Sequence, residues 1–454
     1  MIEKQNRIII VDDSEQELKR LGNAFLETGI GCRTFLYTQD YDNEALKNVR
    51  IAFFDINLAN LAEIVGTENK EELKKNNSKV FNDLSTAISQ FISPDNGPYI
   101  LIFWTKNQGL VDVFKEYVNE RKIDILNPLQ IYSIDKFEFE GEKINTLPDK
   151  ILEIINSNEK IKFLFDLQEN SRKAGEETIN RLFKIIPKDE LWGESSIFFE
   201  NLDMVLSKIA SSTLGCEHAK ENKQKAVYEG LLPIINYELI NSKTALDWDQ
   251  ILAKLHTSTD CRNIVISDNS IQNKLNSLYH IEEIIDQKKD ARGSLIEIDK
   301  NSIEPLKSFN IEDANKWMMK TIPFRDQSNS TIQKRTLEIL SNSKIIAIEI
   351  SAACDFSNKK SRINKYILGT LSTNLNDKDL NLKSKPENCY LLGGCSFYYE
   401  ENPCHIWINF NYVFSAKPND PRFGEKLFVL KKEIMDMLGH RYASHISRIG
   451  ITSL

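Results

Sequence analysis

The chain has 454 residues, more than one ordinary core organises, so two or three domains are expected. Its 41% hydrophobic and 27% charged fractions are those of a soluble globular protein, and a net charge of −8 gives no overall basic character to support nucleic-acid binding. No apolar run nears the roughly 20 residues of a bilayer span, "MIEKQNRIII" reaches a strand too early for a signal peptide, and seven scattered cysteines suit a reducing compartment, so a cytoplasmic protein is expected.

Residues 1–150 alternate short apolar runs with helical patterns. The runs are "RIIIV", "CRTFLY", "VRIAFF", "YILIFW" and "LQIYSI", starting at Arg7, Cys32, Val49, Tyr99 and Leu129. Runs this apolar suit parallel strands covered on both faces. After the first, Ser14 is a natural N-cap, Leu18, Leu21 and Phe25 share a helix face, and Gly29 is a stop. Five strands with intervening helices make a doubly wound α/β domain. Before the fourth strand lies a long polar stretch, read as a solvated charged loop around "ENKEELKKNN" and a helix from about Lys79 to Phe91.

Residues 151–340 are expected to be a mostly helical transmitter. "AVYEGLLPIINYEL" contains Pro233, which should kink or start a helix rather than sit inside one. "DARGSLIEID" reads as a turn entering a strand. Residues 341–454 form a β-rich α+β domain, a small barrel being one form of it. Its strand runs are "KIIAIEISAACDF", "NKYILGTL", "NCYLLGG", "FYYE" and "HIWINFNYVFS", and "GEKLFVLKKEIMDMLGHRYASHISRIG" closes the chain as a helix.

In a doubly wound sheet, ligands bind beyond the carboxyl ends of the strands. Asp12 and Asp13 end the first strand, Asp55 the third, Thr105 the fourth and Lys136 the fifth. Two adjacent aspartates at the end of a buried strand repel each other and need compensation. A divalent cation is the simplest source, and Mg²⁺ prefers such hard oxygens. Asp55 would then be placed to attack a phosphoryl donor, with Lys136 and the metal neutralising the charge that develops.

This constellation resembles a response-regulator receiver domain, of flavodoxin-like fold. The resemblance implies that Asp12 and Asp13 hold Mg²⁺ and that Asp55 is the phosphoacceptor. It also implies that the backbone carbonyl of Asn57 ligates the metal, Thr105 senses the phosphoryl group and Lys136 pairs with it. The chain departs from that family after the phosphoacceptor, where Leu58 and Ala59 follow Asn57. It departs again after the lysine, where Phe137 stands for proline, and at the aromatic switch position, which is Ser133, with Tyr132 one place off. "ILIFWTKN", "YSIDKFEF" and "ISAACDFSNKKSR" are similar to a divergent receiver class of bacterial conflict systems. That similarity implies a histidine-kinase-like ATPase partner and an anti-phage role.

The C-terminal segment holds Cys354, Asp355, Cys389, Cys395, Cys404 and His405. Zinc is not expected, because no C-x₂₋₄-C knuckle occurs and Cys404 and His405 are adjacent. Cys354 with Asp355 and His405 or His445 is the candidate for an enzyme centred on a cysteine nucleophile. The preferred expectation is a two-component signalling protein with no enzyme chemistry beyond the receiver's own. The rivals are the Cys-centred enzyme and a pseudo-receiver scaffold that is never phosphorylated. Partner identity beyond the family likeness and oligomeric state are not legible.

Overall fold

The apolar runs of the first 150 residues become parallel strands because helices cover both of their faces. These strands are β1 (Ile8–Asp12), β2 (Arg33–Leu36), β3 (Ile51–Phe54), β4 (Ile100–Thr105) and β5 (Gln130–Asp135). They pair in the order β2-β1-β3-β4-β5, all parallel, which is the doubly wound flavodoxin-like order. The computed structural model describes residues 7–38, 44–58, 69–257, 259, 264–266, 268–282, 289–300, 306–352 and 363–447. The chain divides into one unit of Met1–Asn170 with Lys243–Ala253 and another of Ser171–Ser242 with Lys254–Leu454.

In the first unit, every residue of β1, β3 and β4 is buried, whereas the edge strands β2 and β5 are only partly covered. Helices α1 (Glu15–Glu27) and α5 (Leu147–Asn156) cover one face, with Leu21, Phe25 and Leu147 packed on Ile10, Phe53 and Trp104. Helices α3 (Ser78–Phe91) and α4 (Gly109–Arg121) cover the other, with Phe81, Phe91 and Phe114 packed on Ile9, Phe54 and Phe103. Ser14 caps α1 by accepting the Glu17 N–H, and Gly29, at φ +75°, ends its run as expected.

Two expectations need correction here. The described residues between β2 and β3 hold no helix. Tyr37 and Val49 there are buried in the core, and Leu46 makes a parallel bridge to Ile92. The polar stretch before β4 is less solvated than its composition suggested. Part of it folds as α2 (Lys70–Asn76), and Lys74 is buried among Glu71, Glu116 and Glu120, which pins it to α4.

The second unit begins with long helices. Helix α6 (Glu159–Ile185) runs into it from the first unit and is followed by α7 (Ser196–Leu214), α8 (Cys216–Glu221) and α9 (Lys223–Ile240). Pro233 lies inside α9, against expectation. It is exposed, so the Glu229 carbonyl that the missing N–H leaves free can turn to water. Then comes an antiparallel sheet of β6 (Ile281–Glu282), β7 (Ser294–Ile298), β8 (Ser343–Glu349), β9 (Asn364–Thr373), β10 (Cys389–Leu391), β11 (Phe397–Tyr399), β12 (Asn402–Ala416) and β13 (Phe423–Leu430). Its order, β10-β12-β9-β8-β7-β13-β6 with β11 on β12, is open, so this is a sheet and not a barrel.

Strand β13 corrects the reading of its sequence as helix. Its residues Leu427, Phe428 and Leu430 are buried and its backbone pairs with β7, so only Lys432–Ile446 is helical. Gly369 is obligatory in β9, because a Cβ there would sit 2.4 Å from the Trp407 carbonyl oxygen of the neighbouring strand.

Phe91 is fully buried, with its ring edge-on to Phe35 at 5.2 Å and to Phe54 at 6.1 Å. Phe91→Ala is expected to cost about 3–5 kcal/mol in denaturant unfolding of the first unit. A loss under about 1 kcal/mol would show that this face is not packed as described.

Candidate functional site

The strand ends bring the predicted residues to one rim. Asp12 is the last residue of β1, Asp55 follows β3, Thr105 ends β4, and Lys136 opens a short 3₁₀ turn after β5. Lys136 Nζ donates to Asp55 Oδ2 at 2.9 Å and to Asp12 Oδ2 at 3.1 Å. These contacts span sequence separations of 81 and 124 residues. The second oxygens are held locally: Asp12 Oδ1 accepts the Ser14 N–H at 2.8 Å, and Asp55 Oδ1 accepts the Asn57 N–H at 3.2 Å.

Asp12, Asp13 and Asp55 each offer a carboxylate oxygen, and these atoms lie within 4.8 Å of one another. Asp12 is buried, while Asp13 and Asp55 are half-buried and leave the cluster open to solvent. Three carboxylates face one ammonium, so the pocket carries an excess of negative charge that a cation would relieve. The side-chain oxygen of Asn57 is also buried and without a hydrogen-bond partner. This donor set of hard oxygens fits a divalent cation.

The electrostatics follow from burial. Desolvation pushes the Asp12 carboxyl up to about 6, against the opposing pull of the Lys136 ammonium and the Ser14 N–H. Burial also works against the charge on Lys136, but Asp55 and Asp12 outweigh it and hold the ammonium above the usual lysine value. Thr105 is buried at the same rim, opposite Asp135 in the strand register, and its hydroxyl accepts the Asn107 N–H at 3.0 Å.

One group beside the pocket is not apparent in the sequence. Trp104, which precedes Thr105, donates its indole N–H to Glu17 at 3.0 Å. Arg20 binds Glu17 at 3.2 Å and donates to the Phe139 carbonyl in the turn that Lys136 opens. The only local signal was the i,i+3 spacing of Glu17 and Arg20; their partners on β4 and in that turn come from tertiary structure alone.

Among the described residues, the C-terminal cysteines and histidines form no metal-holding group. Cys354 and Asp355 lie outside the described residues. His405 sits on β12 with its ring buried and Nδ1 unpartnered, and burial holds its pKa below the usual histidine value against the pull of Asp377. His445 lies on the last helix, packed on the Phe410 ring. Cys404 packs among Phe397, Ile406 and Leu392, whereas Cys389 pairs with Asn409 on the opposite face of the sheet. Burial pushes the Cys404 thiol up to about 12 and the Cys389 thiol up to about 11, the reverse of what a nucleophile needs.

A comparison with known proteins finds no family model that matches the chain and no curated relative. The site therefore stands on its geometry.

With its pKa near 6, Asp12 is protonated in acid and competes with a cation for its own oxygen. The rise in melting temperature on adding Mg²⁺ is expected to be larger at pH 7.5 than at pH 5, and Asp12→Asn should flatten that difference. In the cation-free protein the same raised pKa makes ionisation of Asp12 destabilising as pH climbs from 3.8 to about 6, an effect on the order of 3 kcal/mol. A pH-independent Mg²⁺ effect would exclude Asp12 as a ligand.

Proposed function

We propose that the first unit is a receiver-like switch in a signalling protein, with Asp55 as a magnesium-dependent phosphoacceptor. The observation that carries this reading is the Lys136 ammonium set 2.9 Å from Asp55 and 3.1 Å from Asp12 beside three clustered carboxylates. Asp12, Asp13, Asp55 and the backbone of Asn57 are the residues that would hold Mg²⁺. The metal would supply a positive charge and an oxygen-ordering template at the acceptor.

In the proposed transfer, a carboxylate oxygen of Asp55 attacks phosphorus and forms the new O–P bond. The bond from phosphorus to the donor breaks, and its electron pair leaves with the donor. Lys136 then turns from the Asp55 carboxylate to the phosphoryl oxygens, where its charge offsets theirs. The Thr105 hydroxyl accepts from Asn107 and retains its own proton to donate to the new group. Movement of Thr105 would draw on its neighbour Trp104, which is tied to Glu17 on α1.

The donor would be a histidine-kinase-like ATPase or another phosphorylated protein, and the helices and the antiparallel sheet of the second unit would carry the output. The likeness of "ILIFWTKN" and "YSIDKFEF" to the conflict-system receivers supports an anti-phage setting. No further enzyme chemistry is proposed for the second unit.

Beryllofluoride with Mg²⁺, a mimic of the aspartyl phosphate, is expected to raise the melting temperature of the wild type by several degrees beyond Mg²⁺ alone. Asp55→Asn and Lys136→Ala should both lose that increment. A Mg²⁺ response with no added effect of beryllofluoride would leave a metal site and remove the phosphoacceptor.

A further inference from the structure

Lys136 reaches Asp12 and Asp55 from a turn that its own strand holds weakly. β5 is an edge strand, paired to β4 and only partly covered. After it the chain makes a single 3₁₀ turn, Lys136–Phe139. Within that turn Asp135 accepts the Phe137 N–H at 2.9 Å, but the closing Glu140 N–H lies 3.5 Å from the Phe137 carbonyl. A bond that long adds little. The ammonium, meanwhile, crosses the end of β4 to stand between carboxylates at the ends of β1 and β3. A misplacement of about 1 Å in such a group can cost on the order of a hundredfold in function.

Two contacts from outside the turn make up the deficit. Phe139 is buried, with its ring 5.8 Å from that of Trp104. Its carbonyl oxygen accepts from the Arg20 guanidinium on α1. Arg20 is itself fixed, bound to Glu17 Oε1 at 3.2 Å and set 5.9 Å from the Trp104 ring, while Glu17 Oε2 takes the Trp104 N–H at 3.0 Å. A planar guanidinium already held in this way loses little freedom in making one more bond. At its start, α1 is tied to the paired acids, since Asp12 accepts the N–H of the cap residue Ser14. Within two turns the same helix grips the segment that carries their ammonium.

We infer that Arg20 is a positioning residue for Lys136. By holding the Phe139 carbonyl it keeps the turn seated on α1, and so keeps the Lys136 ammonium between Asp12 and Asp55. Its own hydrogen bonds go to Glu17 and Phe139 and to neither carboxylate, so it acts through the turn. A bond from a charged donor is stronger than a neutral one. Without it the turn rests on Asp135 and the Trp104 ring, and the long lysine stem lets the ammonium swing out to water. The effect is specific to one lysine. Lys74, in the same unit, is equally buried at 8% against 9% exposure, but its partners are Glu71, Glu116 and Glu120, which Arg20 does not touch. The placement of Lys136 is independent of any chemistry at Asp55; only its consequence for phosphoryl binding rests on the phosphoacceptor reading.

Acetylation of the full-length protein by acetic anhydride, read lysine by lysine in a mass spectrometer, tests the placement. In Arg20→Ala, Lys136 is expected to react about tenfold faster than in the wild type, the scale of one hydrogen bond from a charged group. Lys74 should react at its wild-type rate, and Arg20→Lys should restore part of the protection of Lys136. Beryllofluoride with Mg²⁺ is expected to bind Arg20→Ala about tenfold more weakly than wild type. An unchanged rate at Lys136 overturns the inference. Equal acceleration at Lys74 overturns it too, because the substitution would then have loosened the whole unit. A wild type that ignores beryllofluoride removes the phosphoacceptor instead, and the labelling of Lys136 still decides the role of Arg20.

Discussion

The first unit depends on one ammonium group. Lys136 reaches Asp12 and Asp55, and so links the ends of β1 and β3 to the turn after β5 across the intervening β4. Its side chain is 9% exposed and that of Asp12 is 2% exposed, so neither charge is compensated by water. A buried pair of this kind is costly to break from one side, because the remaining charge stays buried without a partner. The arrangement also fixes register. A slip of one residue in β1 would turn Asp12 to the opposite face of the sheet and leave Lys136 without that partner. Stability and site geometry are thus set by the same contact.

That contact leaves the pocket incompletely neutralised, and the imbalance gives the site its chemical potential. Lys136 supplies one positive charge to three acids, and burial raises the Asp12 pKa instead of being fully offset. An excess of acid confined to the open end of a sheet is an arrangement that a cation could relieve. The half-buried state of Asp13 and Asp55 matters here. A fully enclosed cluster would bind a metal structurally, whereas this one keeps a face from which a substrate could approach.

The sequence made the site legible where strand ends carried it. β1, β3 and β4 were readable because apolar runs buried on both faces stand out from any amphipathic pattern, β5 because its run is rich in Ile and Tyr although only partly covered, and each stops at a polar residue of the rim. The missing β2–β3 helix was not readable, since a loop anchored by the scattered Tyr37, Leu46 and Val49 has no period to detect. β13 was misread because "GEKLFVLKKEI" has apolar residues at spacings that satisfy a helix, and pairing with β7 decided the matter. Pro233 broke a local rule because its exposure makes the lost hydrogen bond cheap. The Glu17–Trp104 and Arg20–Phe139 contacts depend on tertiary placement and have no periodicity to betray them.

Those contacts bear on where a switch can reside in this unit. A local chemical event has a distant readout only through an element that has two packings of similar energy. The sheet is a poor candidate. Phe53, Phe54 and Phe103 are fully buried in close-packed layers, which resist small displacements. The group around Trp104 differs in kind, since it is held by a carboxylate, a guanidinium and a backbone carbonyl at half-buried positions. Such polar contacts exchange for water at a modest net cost. They also join three places that a change at Asp55 would disturb: the residue before Thr105, the first helix after the paired acids, and the turn opened by Lys136. If phosphoryl chemistry at Asp55 is to be felt elsewhere, this polar seam yields before the aromatic core does.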